Sequence, residues 1–393
     1  MKIAILFDAN LNNRKGLFNA IINRAKNLMA MPKCSVELYC LQPRPGGLSK
    51  IFKQRERRNY ENTIVVDGLC FNMMWYERYL IDSMLTNRLH RPPILFRRWM
   101  KKNCSTFSAF DLISAHSTRC GDMARVINKR YGIPFCVTWH GTDIHTNPFL
   151  SSSQMRYVKT ILQSATCNFF VSKALMDVAS SFSSGFRGEV LYNGVNERFF
   201  RFDDEIREKL KVKYGVEKSR VVAFVGNLIP IKNVNLLPLI FSEVSKQCSR
   251  SVTYWILGEG TQRAMVEAEM KNRNLHCVFW GNVPSSDMPS YMNCIDVLVL
   301  PSSNEGLPLV TTEAIACGAN AVGSNRGGIP ESIGVENTFD LNDDFVSNIS
   351  KRILFLLEND VKQTVDKRFD WKSTAELEYS IYKRVYQGNE QYN

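Results

Sequence analysis

Two glutamates eight residues apart, Glu305 and Glu313, flank the run G-L-P-L-V-T-T. Carboxylates in this pattern suit a general acid/base pair, half of a metal site, or two solvated helix positions. A cation and a histidine stand elsewhere in comparable settings, Lys232 in F-V-G-N-L-I-P-I-K-N and His140 in V-T-W-H-G-T-D. A lysine in a loop after a strand offers a point positive charge to a phosphate; the plainer reading is a solvated surface lysine. A histidine at a strand's carboxyl end, followed by Gly141 and Asp143, is better placed for a site than for a core. His116, after D-L-I-S-A, is similarly placed. The five histidines show no metal-ligand spacing.

The surroundings narrow the roles of the two carboxylates. Strand D-V-L-V-L-P is followed by a loop containing Glu305, and Pro308 suits the first turn of a helix running to about Cys317, with Gly318 as its stop. The free amides of Gly306, Leu307 and Leu309 then form an anion site at the helix start, with Pro308 contributing none. Glu305 beside that site would repel an anion, so it suits hydroxyls of a group attached to the phosphate. Glu313, further in, suits the two hydroxyls of a ribose, because a carboxylate has about four acceptor sites and no donor. In W-I-L-G-E-G-T-Q-R, Gly258 and Gly260 make half of a dinucleotide fingerprint, with Arg263 where the third glycine would stand. This reads as a glycine turn beside a nucleotide rather than as an NAD site. Gly16, after the first strand and a loop rich in Asn, Arg and Lys, can open a helix whose N-terminus faces a cleft.

These residues follow strands, and the strands set the architecture. Short apolar runs alternate with amphipathic helix-length segments. The runs are K-I-A-I-L-F-D, V-E-L-Y-C-L, T-I-V-V-D, F-D-L-I-S-A-H, P-F-C-V-T-W-H, C-N-F-F-V-S and E-V-L-Y-N, then V-V-A-F-V-G, V-T-Y-W-I-L-G, V-F-W-G-N-V, D-V-L-V-L-P and N-A-V-G-S. Nearly continuous apolarity fits strands covered on both faces of a parallel sheet, and the alternation fits a doubly wound α/β fold. After Asn193-Gly194-Val195 a charged segment intervenes and the series restarts at Val221. The expected domains are two Rossmann-like units, 1–198 and 199–370, with a last helix at 371–393. Ligands of such sheets bind outside the carboxyl ends of the strands, in a cleft if the two domains face each other.

Composition adds bounds. The 393 residues are 45% hydrophobic and 22% charged, as in globular proteins. No signal peptide is apparent, and no run reaches the roughly 18 apolar residues of a spanning helix, so a cytoplasmic chain is expected. The 11 cysteines are scattered without a C-x-x-C pair, which fits reduced thiols. Residues 1–198 hold 28 Lys and Arg against 13 Asp and Glu, a net +15, while the remainder holds 22 against 25, a net −3. The densest basic stretches are K-I-F-K-Q-R-E-R-R-N-Y from Lys50 and R-P-P-I-L-F-R-R-W-M-K-K from Arg91. Basic residues mixed with Phe, Trp and Met suit an anionic membrane surface or anionic acceptor, or form a solvated face. No nucleic-acid-binding module accompanies them, so no nucleic-acid partner is expected.

Taken together, these segments resemble the retaining glycosyltransferases of family 4, which have two facing Rossmann-like domains (the GT-B fold). E-G-L-P-L-V-T-T-E-A-I-A-C-G looks like the family's E-x7-E signature, followed by G-G-I-P-E at Gly327 to Glu331. F-V-G-N-L-I-P-I-K-N looks like its diphosphate-binding strand and loop, and L-G-E-G, F-W-G-N-V, L-Y-N-G-V and H-G-T-D fall in the family's order. The resemblance implies transfer of a hexose-type sugar, with retention, from a UDP- or GDP-linked donor to a lipid-linked or surface polysaccharide or glycolipid acceptor. It implies an acceptor-binding first domain, a donor-binding second domain, a last helix that crosses back to the first domain, and neither metal nor cofactor. By the same analogy Glu305 holds sugar hydroxyls, Glu313 the ribose, Lys232 and the amides at 306–309 the leaving diphosphate, His140 the donor sugar, and Gly281 to Val283 the base. The chain departs from the family at Asn227, where Arg is usual, leaving Lys232 and Arg326 to compensate. It departs also at Lys15-Gly16, where paired glycines are usual. An epimerase or hydrolase acting on nucleotide-sugars is the alternative on the same fold, and peripheral attachment to the inner membrane face is the expected location.

Overall fold

The computed structural model of the chain describes residues 1–9, 16–46, 60–90, 93–196, 199–359 and 361–390. The basic stretch from Lys50 to Asn59, Lys15, and Arg91-Pro92 lie outside the described residues. The chain forms two compact units, Met1–Tyr192 with the last helix, and Asn193–Asp370. The boundary falls ahead of residue 198. Val195 is already buried in the second unit's core and its amide bonds Phe369 O at 2.8 Å, so the chain leaves the first unit before the charged segment begins.

Among the described residues the first unit is built on eight strands: β1 (Lys2–Phe7), β2 (Ser35–Pro45), β3 (Thr63–Val66), β4 (Leu69–Arg78), β5 (Leu112–His116), β6 (Phe135–Trp139), β7 (Cys167–Phe170) and β8 (Gly188–Val190). Their order is β3-β4-β2-β1-β5-β6-β7-β8. All neighbours run parallel except β3 and β4, a hairpin whose turn residues Asp67 and Gly68 both take positive φ, as a two-residue hairpin loop requires. Strand β4 is absent from the apolar runs because it is covered unevenly: Leu69, Phe71 and Met73 are buried while their neighbours are not. T-I-V-V, expected as a covered parallel strand, is instead the antiparallel edge. The helix Gly16–Met29 packs against the last helix, Trp371–Glu390. Ile21, Ala25 and Leu28 of one and Tyr379, Ile381, Tyr382 and Val385 of the other share a core with β1 and β2. Each large apolar side chain so buried contributes about 1.5–3 kcal/mol.

The second unit carries β9 (Arg220–Val225), β10 (Val252–Leu257), β11 (Cys277–Gly281), β12 (Val297–Leu300), β13 (Asn320–Ser324) and β14 (Thr338–Phe339), all parallel. Their order, β11-β10-β9-β12-β13-β14, is the doubly wound Rossmann arrangement, with its reversal between β9 and β12. In the first unit the reversal lies between β1 and β5. Residues following these four strands therefore flank the two crevices in which such sheets hold ligands. Among the described residues no helix is long and apolar enough to cross a membrane.

Candidate functional site

In the second unit the loops after β9 and β12 meet across the reversal. After Val225 the chain passes through Gly226, Asn227 and Leu228 into the single turn Pro230–Lys232. Asn233 then takes the left-handed conformation, φ 47°, which asparagine tolerates better than most residues. Its amide nitrogen donates to Pro301 O at 2.9 Å, its Oδ1 accepts from Ser303 Oγ at 3.0 Å, and Ser303 N donates to Ile231 O at 2.8 Å. These bonds bring Lys232 and Glu305 together: the Lys232 ammonium donates to Glu305 Oε1, with both side chains mostly buried. The sequence alone keeps the two apart, one for phosphate and one for hydroxyls. One ammonium proton is committed to Glu305 and two remain. Asn233 is a positioning residue that the motifs do not reveal; its place at the end of the P-I-K turn is the available signal.

Glu305 is held from a third side. Gly328 N donates to Glu305 O at 3.0 Å, and a Cβ on Gly327 (φ +54°) would lie 2.1 Å from that same oxygen. The G-G-I-P-E segment after β13 thus needs its first glycine so that it can close on the Glu305 backbone. Arg326, just before it, is exposed, and its guanidinium has no partner among the described residues.

The helix after this loop spans Leu309–Ala316, with Pro308 at the N-cap rather than in the first turn. The expected anion site shifts accordingly. Among the described residues the amides of Gly306, Leu307, Leu309 and Val310 donate to no protein acceptor, whereas Thr311 N and Oγ1 both bond Pro308 O, at 3.3 and 2.6 Å. Pro308 could not donate in any case, and its carbonyl closes the turn. Glu313 lies in the second turn. Its carboxylate has no hydrogen bond or ion pair among the described residues, and desolvation by the surrounding protein pushes its acid up to about 7, although the residue keeps some exposure. A desolvated carboxylate without a donor is costly unless a ligand supplies one.

Three loops close the other side. Gly226 N donates to Leu257 O and Leu228 N to Glu259 O, both at 2.9 Å, and Gly258 N donates to Gly281 O at 2.7 Å. A Cβ on Gly260 would stand 2.2 Å from Leu228 O, and one on Gly258 1.9 Å from Gly226 O. These glycines therefore serve backbone-to-backbone approach between loops. Arg263, standing where a third glycine would be, pairs with Glu259 and caps the Phe279 ring at 5.6 Å. Val283, after β11, packs half-buried on the core.

In the first unit, His140 follows β6, and Gly141, whose φ of 151° favours glycine, opens the short helix Thr142–His145. His140 Nε2 lies 3.0 Å from Nδ1 of the fully buried His116. Burial, with the Arg24 charge added, pulls His140 down to about 3 and His116 well below its ordinary value, so both rings are neutral. Asp143 accepts from Thr118 N at 3.2 Å and Thr118 Oγ1 at 2.6 Å, tying the loop after β6 to the one after β5. Gly16 is the first residue of its helix, and a Cβ there would meet no atom within 4 Å; its missing side chain leaves open space rather than permitting packing.

The comparisons agree with this division. The family model described as "Glycosyltransferase Family 4" matches residues 56–199, and that described as "Glycosyl transferases group 1" matches residues 206–377. The chain is 26% identical over 286 residues to the putative teichuronic acid biosynthesis glycosyltransferase TuaC of Bacillus subtilis, covering 70% of this chain and 71% of that one. It is 27% identical over 164 residues to the GDP-mannose-dependent alpha-(1-6)-phosphatidylinositol monomannoside mannosyltransferase of Mycolicibacterium smegmatis, covering 39% and 43%. Among solved structures it is similar to Anabaena HepE in complex with UDP and glucose, with TM-score 0.68, 18% identity and 100% of both chains covered. It is also similar to the sucrose-phosphate synthase of Thermosynechococcus elongatus, with TM-score 0.75, 16% identity and 98% and 99% covered. Two adjoining family models, matched in order by two parallel-sheet units, lead to one conclusion: the chain belongs to the family 4 glycosyltransferases and has their GT-B fold.

Proposed function

We propose that the protein transfers a hexose-type sugar from a nucleoside-diphosphate sugar, with retention, to a lipid-linked or surface glycan acceptor. The observation that carries this reading is the set of unused polar groups in the second unit. Among the described residues, unpaired amides at Gly306, Leu307, Leu309 and Val310, two uncommitted protons on Lys232 and a free Arg326 guanidinium are a complement for a diphosphate. The partnerless Glu313 carboxylate is a complement for a ribose diol. Glu305, fixed by Lys232, takes sugar hydroxyls through its second oxygen, and the segment at Val283 takes the base. Asn227 supplies an amide where a guanidinium is usual, which leaves Lys232 and Arg326 as the cations. His140 is assigned to the reacting sugar. In the transfer the C1–O bond to the diphosphate breaks and the acceptor oxygen bonds C1 on the same face. The acceptor's proton passes to the departing phosphate oxygen. Charge grows on the diphosphate, so preorganised donors there are the main catalytic device. Neither metal nor cofactor is assigned a part. The relatives named for GDP-mannose and the structures named for UDP support a nucleotide-linked donor.

The membrane part of the reading rests on the helices Leu80–Asn87 and Ile94–Asn103. They are joined by Asp82, whose buried carboxylate accepts from the amides of Ile94, Leu95 and Phe96 at 3.1–3.2 Å. Leu80, Ile81, Met84 and Ile94 are 50–66% exposed, and Arg98, Lys101 and Lys102 are exposed beside them. Apolar groups with adjacent cations suit a surface of anionic lipid. A cleft lined by Arg97, Arg125 and Arg156 with Leu85 and Ile94 adjoins them and suits an anionic headgroup.

Screening nucleotide-sugars with and without glycan or glycolipid acceptors tests the reaction. Transfer with little free sugar released in the absence of acceptor is expected; rapid hydrolysis or epimerisation of donor alone would replace transferase with the alternative. Vesicles containing anionic lipid should bind the protein at low salt and release it at high salt. Failure to bind at low salt would remove the membrane part.

A further inference from the structure

A chain of buried polar groups leads from the last helix to His140, and with Glu378 ionised by its pairing to Arg24 its bonds run in one direction. Glu378 and Arg24 are both fully buried and form an ion pair at 3.5 Å. Arg24 also donates to Thr138 Oγ1 at 3.1 Å and Leu191 O at 3.2 Å. Tyr382 OH stands 2.6 Å from Glu378 Oε1 and 2.7 Å from Ser114 Oγ. Ser114 Oγ is 3.4 Å from His116 Nε2, and His116 Nδ1 is 3.0 Å from His140 Nε2.

A phenol has one proton, and the carboxylate can only accept. Tyr382 therefore donates to Glu378, and its oxygen accepts the Ser114 hydroxyl proton. Ser114 is left to accept, so His116 carries its proton on Nε2. Its bare Nδ1 must then take a proton donated by His140 Nε2. A neutral imidazole has a single N–H, so Nδ1 of His140 is a bare acceptor, and it has no partner among the described residues. The ion pair at the far end is imperfect: Arg24 Nε and Glu378 Oε2 are buried without hydrogen-bond partners among the described residues. Such a pair is weak evidence for stability. What it does supply is a fixed acceptor that sets the direction of every bond after it.

We propose that Glu378, Tyr382, Ser114 and His116 are positioning residues that fix the tautomer of His140, presenting Nδ1 as a hydrogen-bond acceptor to a hydroxyl of the bound substrate. The substrate contact rests on the reading of His140 given above; the tautomer does not. In this reading the last helix contributes the terminal acceptor of a relay that sets what one histidine can recognise.

The test is nitrogen NMR on the full chain labelled with 15N-histidine, whose five histidines give few signals, with His140→Gln assigning the one of interest. The wild type is expected to show His140 protonated at Nε2 and bare at Nδ1. Tyr382→Phe removes the group that claims the Ser114 proton. Ser114 can then donate to His116, and His140 is expected to shift to the opposite tautomer or a mixture of the two. Ser114→Ala, a smaller change, should likewise abolish the single tautomer and guards against misfolding of the first variant. Nδ1-protonated His140 in the wild type, or an unchanged single tautomer in both variants, would overturn the proposal. Transfer rates are read in parallel, with kcat expected to drop about tenfold, the worth of one hydrogen bond. A switched tautomer with unaltered transfer would uphold the relay and defeat the assignment of His140 to the sugar.

Discussion

The crevice of the second unit and the polar network of the first treat charge in opposite ways. Around Lys232 and Glu305 the ions are mostly buried, and among the described residues the amides of four nearby residues are unused and Glu313 holds a carboxylate with no donor. The chain that ends at His116 and His140 starts from one buried ion pair, Arg24 and Glu378, and among the described residues nearly every polar atom between that pair and His140 is engaged. The first arrangement is incomplete without a ligand and suits one that arrives with charge and hydroxyls. The second is close to complete and suits a fixed, neutral surface against which something uncharged is oriented. Removing an ion should therefore mean different things in the two places.

The largest effect is expected in the network. Glu378→Ala leaves the Arg24 guanidinium buried and uncompensated, which costs about 3–5 kcal/mol of stability, read as a lower denaturant midpoint. Lys232→Ala should do the reverse. Stability is expected to stay within about 1 kcal/mol, because Lys232 and Glu305 keep 21% and 14% of their side chains exposed, so water reaches the carboxylate left behind, whereas Arg24 and Glu378 are shut off from it. By contrast kcat is expected to fall about 10²–10³-fold, as when one preorganised donor to a developing oxyanion is lost. Equal loss of stability in the two variants would erase the distinction between the regions.

Smaller changes sharpen it. Gly260→Ala drives a methyl group toward Leu228 O, 2.2 Å from its ideal position, and should cost about 1–3 kcal/mol of stability while weakening donor binding by shifting the loop after β9. Glu313 gives a pH signature. Its acid is raised to about 7 from 4.5, so the fold binds the proton more tightly than the unfolded chain does. The stability this contributes is fully present below pH 4.5 and is lost as pH rises through about 7, at most about 3 kcal/mol. Donor binding should have the opposite slope, since a ribose diol is held best by the ionised carboxylate. Donor KM is expected to fall as pH passes through 7, and Glu313→Gln should abolish both slopes. A wild-type profile identical to that of Glu313→Gln would show that the carboxylate is not at the donor.

Much of this architecture is legible in the amino-acid sequence. Continuous apolarity marks the covered parallel strands, and the residues immediately after them mark both crevices, because a parallel sheet puts its ligand at the strand ends. Strand β4 escapes that signal because alternation along an unevenly covered strand is not an apolar run. Pro308 stands one step earlier than its type suggests, since proline suits either side of a helix start. The pairings are invisible for a different reason. Lys232 and Glu305 are 73 residues apart, and Arg24 and Glu378 are 354 apart; only the order of the strands brings them together. Asn233 shows the middle case: its residue type fits the left-handed position it holds, but its role in joining two loops depends on where β12 lies.

The central claim is that the second unit's crevice holds a nucleoside diphosphate through Lys232 and the amides before and within the helix Leu309–Ala316. Calorimetric titration of UDP and of GDP into the wild type and into folded Lys232→Ala tests it most directly. One of the two nucleotides is expected to bind the wild type and to bind the variant at least about tenfold more weakly, the loss of a charge-assisted contact. Binding of neither nucleotide to the wild type, or equal binding to both proteins, would contradict the account.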